Sequence, residues 1–171
     1  MRGAPVYRFL VVYRVGSWAR RGSPLRVPAR LVCRILNSRM TIRYGIEIPF
    51  RTEVGPGLLI AHRIGGVIVH PDAVIGCGVS LSPGVVVGNN GARNAAPTIG
   101  DGVVITVGAK VLGAVSVGAG TLIGANSVVT KDIPAGVVAA GAPARVLEGR
   151  APRPSAGIDF RTVLGPVPER G

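Results

Sequence analysis

The sequence predicts a mainly β fold, a solenoid of stacked coils led by a short helical segment. Aliphatic residues recur every six positions at Val69, Ile75, Leu81 and Val87, and again at Ile99, Ile105, Val111, Val117, Ile123 and Val129. The chain of 171 residues also holds 26 Gly and 14 Pro, the residues of frequent turning. Aromatic residues are scarce, with three Phe, three Tyr and one Trp against a background of Val, Ile, Ala and Leu. A period of six fits neither the helical repeat of about 3.6 nor a hairpin meander. Each hexad supplies one short strand and one turn, and three hexads close a triangular coil. Parallel pairing between coils satisfies the backbone, and the narrow interior has room for Val and Ile but rarely for Trp.

In chain order, residues 1–45 read as helical. Val6, Phe9, Leu10 and Tyr13 mark one apolar face, and Leu31, Val32, Ile35 and Leu36 mark another, with Gly22 to Pro24 as the break. Arg26, Arg30 and Arg34, spaced by four, form a basic stripe along the second helix. Residues 46–148 are the solenoid. It opens with Ile48, Val54 and Ile60, which keep the spacing but stand three residues out of phase with Val69. The extra residues are expected around Gly65 to Ile68, and a break of this kind re-aims side chains. Four places after the inward residues stand compact or β-branched ones: Ala73, Val79, Val85, Val103, Ala109, Val115, Thr121, Ser127 and Ile133. Between Asn89 and Pro97 a polar, Gly- and Ala-containing segment replaces a hexad, which predicts a loop extruded over 89–97. Residues 149–171, with Pro152, Pro154, Pro166 and Pro168, read as a flexible tail.

The net charge of +12 points at first to nucleic acid or an anionic surface. Its distribution narrows that. Residues 1–45 carry ten Arg and no acid, whereas residues 46–149 carry six basic and six acidic groups. The charge therefore belongs to the ends. A solvated or oligomer-packed helical cap is the first reading of the Arg stripe, and peripheral contact with an anionic membrane is the second. Nucleic acid is not expected, because no aromatic interleaving or binding motif accompanies the basic residues. The apolar stretch Phe9 to Val15 is interrupted by Arg14 and too short to span a bilayer, and no cleavage pattern follows it, so a cytoplasmic protein is expected. Cys33 and Cys77 lack a CxxC spacing and a supporting His cluster, so neither a disulfide nor a metal site is expected.

The ordered blocks GIEIP at 45–49, IAHRIGGVIV at 60–69, AVIG at 73–76, PTIGDGVVI at 97–105, GAKVLG at 108–113, IGANSVVTKDIP at 123–134 and GAPARVL at 141–147 carry a resemblance. Residues 46–148 resemble the left-handed parallel β-helix acyltransferases of the hexapeptide-repeat superfamily, in the serine acetyltransferase-like branch. The resemblance implies direct acetyl transfer from acetyl-CoA to a hydroxyl of a small acceptor, serine or a serine-like metabolite, with a histidine as general base and no metal. It also implies a homotrimer or a dimer of trimers.

His62, in the IAHRIGG block, matches the family's catalytic histidine, while His70 stands at a regular corner and is expected to be solvent-exposed and structural. Glu47 matches the carboxylate that orients the histidine, although the family has Asp there. Fifteen residues separate Glu47 from His62, close to one coil, so the two are expected to be neighbours. By block matching, coenzyme A would run past Gly88, Asn89, Thr106, Val107 and Ala125, with Lys131 and Arg145 for its phosphates. Near the acceptor this chain departs from the family. Ala61 replaces the acid before the histidine, Ala95 and Ala96 replace an Arg-His pair, and residues 1–45 are a short counterpart of a longer helical domain. Arg63, Arg93 and Asn94 offer a different polar site. A sugar or polysaccharide hydroxyl is therefore the competing acceptor, and a scaffold that has lost its chemistry is the non-enzymatic reading. Zinc carbonic anhydrases of the same fold need three histidines, and this chain has two.

Overall fold

The computed structural model describes residues 5–20, 27–61, 65–91 and 95–152. Two helices come first, α1 (Pro5–Arg20) and α2 (Val27–Tyr44). The first coil holds β1 (Ile46–Glu47), β2 (Glu53–Val54) and β3 (Leu59–Ile60). The second holds β4 (Val67–Val69), β5 (Val74–Ile75) and β6 (Ser80–Leu81), and the third β7 (Val86–Gly88), β8 (Thr98–Ile99) and β9 (Val104–Ile105). The fourth holds β10 (Lys110–Leu112), β11 (Ser116–Val117) and β12 (Leu122–Ile123). β13 (Val128–Val129), β14 (Val138–Gly141) and β15 (Ala144–Val146) complete the chain of strands.

Strands of successive coils pair in parallel to make three faces. The first is β1-β4-β7-β10-β13, the second β2-β5-β8-β11, and the third β3-β6-β9-β12-β14, to which β15 adds antiparallel. This is the mainly β solenoid that the hexads predict. All ten inward residues from Val69 to Val129 are at most 2% exposed, so the period of six reports burial directly. The compact residues four places on are buried as well. Among them Thr121 donates its hydroxyl to the Pro134 carbonyl at 2.7 Å, and Ser127 Oγ accepts the Gly141 amide at 3.1 Å, so neither buried hydroxyl is left unpaired. The corner between the second and third faces is made by a column of glycines. A Cβ on Gly76 would stand 2.8 Å from the backbone of Gly100 one coil on, which explains why glycine follows the aliphatic residue there.

Strand register locates both irregularities. A regular coil is eighteen residues, as in Ile68↔Val86 and Lys110↔Val128. The first coil is twenty-one, Ile46↔Val67, and its three extra residues fall in the corner 61–66 between β3 and β4, slightly earlier than the sequence suggests. The third coil is twenty-four, Val86↔Lys110, with the surplus between β7 and β8, where the polar segment 89–97 lies.

The helices correct two expectations. α1 buries Phe9 and Tyr13 in the core of the first coils, in keeping with the predicted Phe9–Tyr13 face; the side chain of Val6 lies outside the described residues. Tyr13 donates its hydroxyl to the Thr52 carbonyl at 2.5 Å, and Arg14 donates to the carbonyls of Val54, at 2.6 Å, and Gly55. In α2, however, Leu31, Val32, Ile35 and Leu36 point outward, and the inward side is made by Cys33 with the partly buried Met40 and Tyr44. Nor do the arginines form a free stripe. Arg30 is half-buried and donates to the carbonyls of Ala19, at 3.2 Å, and Arg20, at 3.4 Å, capping the C-terminal end of α1, while Arg26 lies outside the described residues.

Candidate active site

The site is built on the edge where the third face turns into the first. Four corners stack there, at 61–66, 82–85, 106–109 and 124–127. The lengthened one is anchored at both ends. Ala61 donates its amide to Leu81 O at 2.9 Å; Gly65 donates to Tyr44 O at 3.4 Å, and its own carbonyl accepts the Gly84 amide. Its middle, 62–64, lies outside the described residues, and with it His62 and Arg63; Arg93 and Asn94 lie outside them as well.

Glu47 is positioned by the end of α2. Gly45 adopts the left-handed backbone (φ 66°), donates to Thr41 O at 2.8 Å and turns the chain into β1. A Cβ on Gly45 would meet the Gly66 amide nitrogen at 3.1 Å, so the returning limb of the lengthened corner lies directly on this turn, two residues from Glu47. Glu47 itself is exposed and stands opposite Ile68, twenty-one residues on. The fifteen-residue interval is thus shorter than the coil, and the link between β1 and the corner runs through Tyr44–Gly45 beneath Gly65–Gly66.

Along the same edge stand Thr106, Val107 and Ala125. Thr106 donates its hydroxyl to Ile123 O at 2.6 Å, Val107 is half exposed with its carbonyl accepting the Asn126 amide at 2.8 Å, and Ala125 is exposed. Gly88, the last residue of β7, and Asn89 lie at the opposite edge of the first face, on the order of 10 Å away along a strand of this length. Lys131 follows β13 on that opposite edge, and Arg145 lies in β15 on the third face, donating to Ala144 O at 2.9 Å. Thr106, Val107 and Ala125 therefore lie on one edge of the first face and Gly88, Asn89 and Lys131 on the other, while Arg145 stands apart on the third face.

Two features escape the sequence reading. Lys110 sits on the outside of β10, in one column with Glu47, Ile68, Val86 and Val128, and its Nζ donates to Gly108 O at 2.7 Å beside Val107. Its place directly before the inward Val111 is the signal that could have found it. His70 is half-buried rather than solvent-exposed, because Asn89 stands beside it one coil above. Its Nδ1 accepts the Asp72 amide at 3.2 Å, and its Nε2 stands 3.4 Å from Asn89 Nδ2.

Known proteins share this fold. No protein-family model matches the chain. It is 38% identical over 120 residues to serine acetyltransferase 2 of Arabidopsis thaliana, covering 69% of this chain and 37% of that protein. It is 36% identical over 135 residues to the serine acetyltransferase of Mycobacterium tuberculosis, covering 78% of this chain and 58% of the relative. The solved soybean serine acetyltransferase apoenzyme superposes with a TM-score of 0.74 at 34% identity, over 85% of this chain and 58% of the other. The fold is that of the hexapeptide-repeat acyltransferases. Within that class the chain is serine acetyltransferase-like, and it spans less than two thirds of the length of these relatives.

Proposed function

We propose that the chain is an acetyl-CoA-dependent O-acetyltransferase that acts on the hydroxyl of a small acceptor, with serine or a serine-like metabolite as the leading class. The observation that carries this reading is the one lengthened corner on the β3–β4 edge. It holds His62, rests on the turn that presents Glu47, and continues a line of corner residues toward Thr106, Val107 and Ala125. Related serine acetyltransferases have been solved in complex with CoA and with serine, which supports the two ligand classes.

In the proposed reaction His62 accepts the acceptor's hydroxyl proton as the oxygen attacks the thioester carbonyl. The C–O bond forms, the C–S bond breaks, and the imidazolium returns its proton to the leaving thiolate, giving the ester and free CoA. Glu47 orients the imidazole and stabilises its charged form. The pantetheine arm passes Thr106, Val107 and Ala125, while Gly88 and Asn89 of a neighbouring copy complete the site. That arrangement calls for the trimer, in which the two edges of the first face meet across a groove. Lys131 and Arg145 are held for the nucleotide phosphates, and Arg63, Arg93 and Asn94 for the acceptor.

Ala61 and the buried Ala95 favour a second acceptor class, a sugar or polysaccharide hydroxyl, because neither offers a charged group to an amino-acid zwitterion. Thiol release from acetyl-CoA, followed against serine, serine analogues and sugars, separates the readings. With the correct acceptor, kcat/KM rises with pH as the imidazole loses its proton. Absence of thiol release with every acceptor, together with no acetyl-CoA binding by calorimetry, leaves a scaffold.

A further inference from the structure

The outer side of α2 is apolar where a surface helix is ordinarily polar. Ile42 is 86% exposed, Leu31 60%, Val32 54% and Ile35 50%. Leu31, Ile35 and Ile42 fall on one side of the helix by spacing, with Arg34 on one flank and Arg39 and Arg43 on the other, all three exposed. The inward side of the same helix already makes its contacts through Cys33, Met40 and Tyr44, so these outer residues are surplus to the packing of the cap.

We propose that this face is a docking surface for an anionic lipid bilayer, on which α2 lies in the plane of the interface. Charge decides the occupant. Residues 1–45 contain ten Arg and no Asp or Glu, so pairing this helix with the same helix of a second copy would oppose arginines to arginines with no acid on either helix to neutralise them. An anionic headgroup layer supplies that neutralisation, and the acyl boundary takes the aliphatic ridge. An extended nucleic acid would match the arginines but leave Leu31, Ile35 and Ile42 against phosphate. No described helix is long and apolar enough to cross a membrane, so the contact is one of lying on the surface. This inference is independent of the proposed acetyl transfer, whose residues lie on the solenoid.

The test is co-sedimentation of the full chain with vesicles of phosphatidylglycerol and phosphatidylcholine in equal parts, and with vesicles of phosphatidylcholine alone. The wild-type chain is expected to sediment with the anionic vesicles, less at high salt, and to stay in solution with the neutral ones. Replacing Ile35 and Ile42 together by Asp lowers the bound fraction about tenfold. Arg34→Ser with Arg39→Ser removes the preference for the anionic lipid. The far-ultraviolet spectrum and the thermal midpoint check the fold of each variant, since these side chains are exposed. Failure of the wild-type chain to bind, or binding that the Ile35→Asp/Ile42→Asp variant retains, overturns the proposal. So does a sedimentation-velocity change in which that variant loses an oligomer the wild-type forms, because the face is then covered by a second copy.

Discussion

In the solenoid an apolar side chain is inward wherever the hexad puts it, and the ten residues from Val69 to Val129 are closed off by the coils above and below. In α2 the reverse holds, since Leu31, Val32, Ile35 and Ile42 face outward while Cys33 faces in. The two regions also divide the charge, with a balanced body and an acid-free cap. In the body, backbone pairing dictates where side chains point. In the cap, a helix that packs along one side is free to present its other side to something else.

Substitutions sharpen this contrast. The largest effect belongs to the irregular corner of the body, where His62→Ala is expected to lower acetyl-CoA-dependent turnover about a thousandfold while leaving the solenoid folded, measured by thiol release and circular dichroism. Next comes the regular interior. Ile105→Ala removes a fully buried side chain from a prism that cannot collapse, and denaturant unfolding should show a loss of about 3 kcal/mol. Glu47→Gln, at the junction of cap and body, is expected to cost about tenfold in kcat/KM, with Glu47→Asp recovering most of it and the ionisation seen in the pH–rate profile displaced in the Gln variant alone. The smallest effect falls on the outer side of the cap, where Leu31→Ala should change unfolding free energy by no more than about 0.5 kcal/mol. A loss from Leu31→Ala comparable with that from Ile105→Ala would break the comparison, because it would mean that the face is covered in the folded state.

How far the sequence can be read follows the same division. A period of six has one structural solution in a coil of three strands, so the inward ladder, the compact second positions and both register breaks are legible in the spacing of the residues alone. The helical face is not. Leu31, Val32, Ile35 and Leu36 have helical spacing, but spacing alone cannot tell a buried side from an exposed one when Cys33, Met40 and Tyr44 offer a second, less obviously apolar side. Arg30 reads as one of a stripe, and only the position of α1's last turn reveals it as a cap. His70 departs from its expected exposure for a related reason. Its burial depends on Asn89, nineteen residues away, which the coil stacks beside it. The division of the candidate site between two edges of one face is also invisible in the sequence, because block matching orders residues along the chain and says nothing of which corner each one occupies.

The terminal coils have a further consequence for assembly. At one end the last carbonyls of β2 and its turn, Val54 and Gly55, are taken by the Arg14 guanidinium, and at the other β15 runs antiparallel against β14. A parallel solenoid with bare ends would template its own extension, each molecule adding coils to the next. Here the second face begins under a cationic side chain and the third ends on a strand of the wrong direction, and both features oppose the addition of further parallel coils.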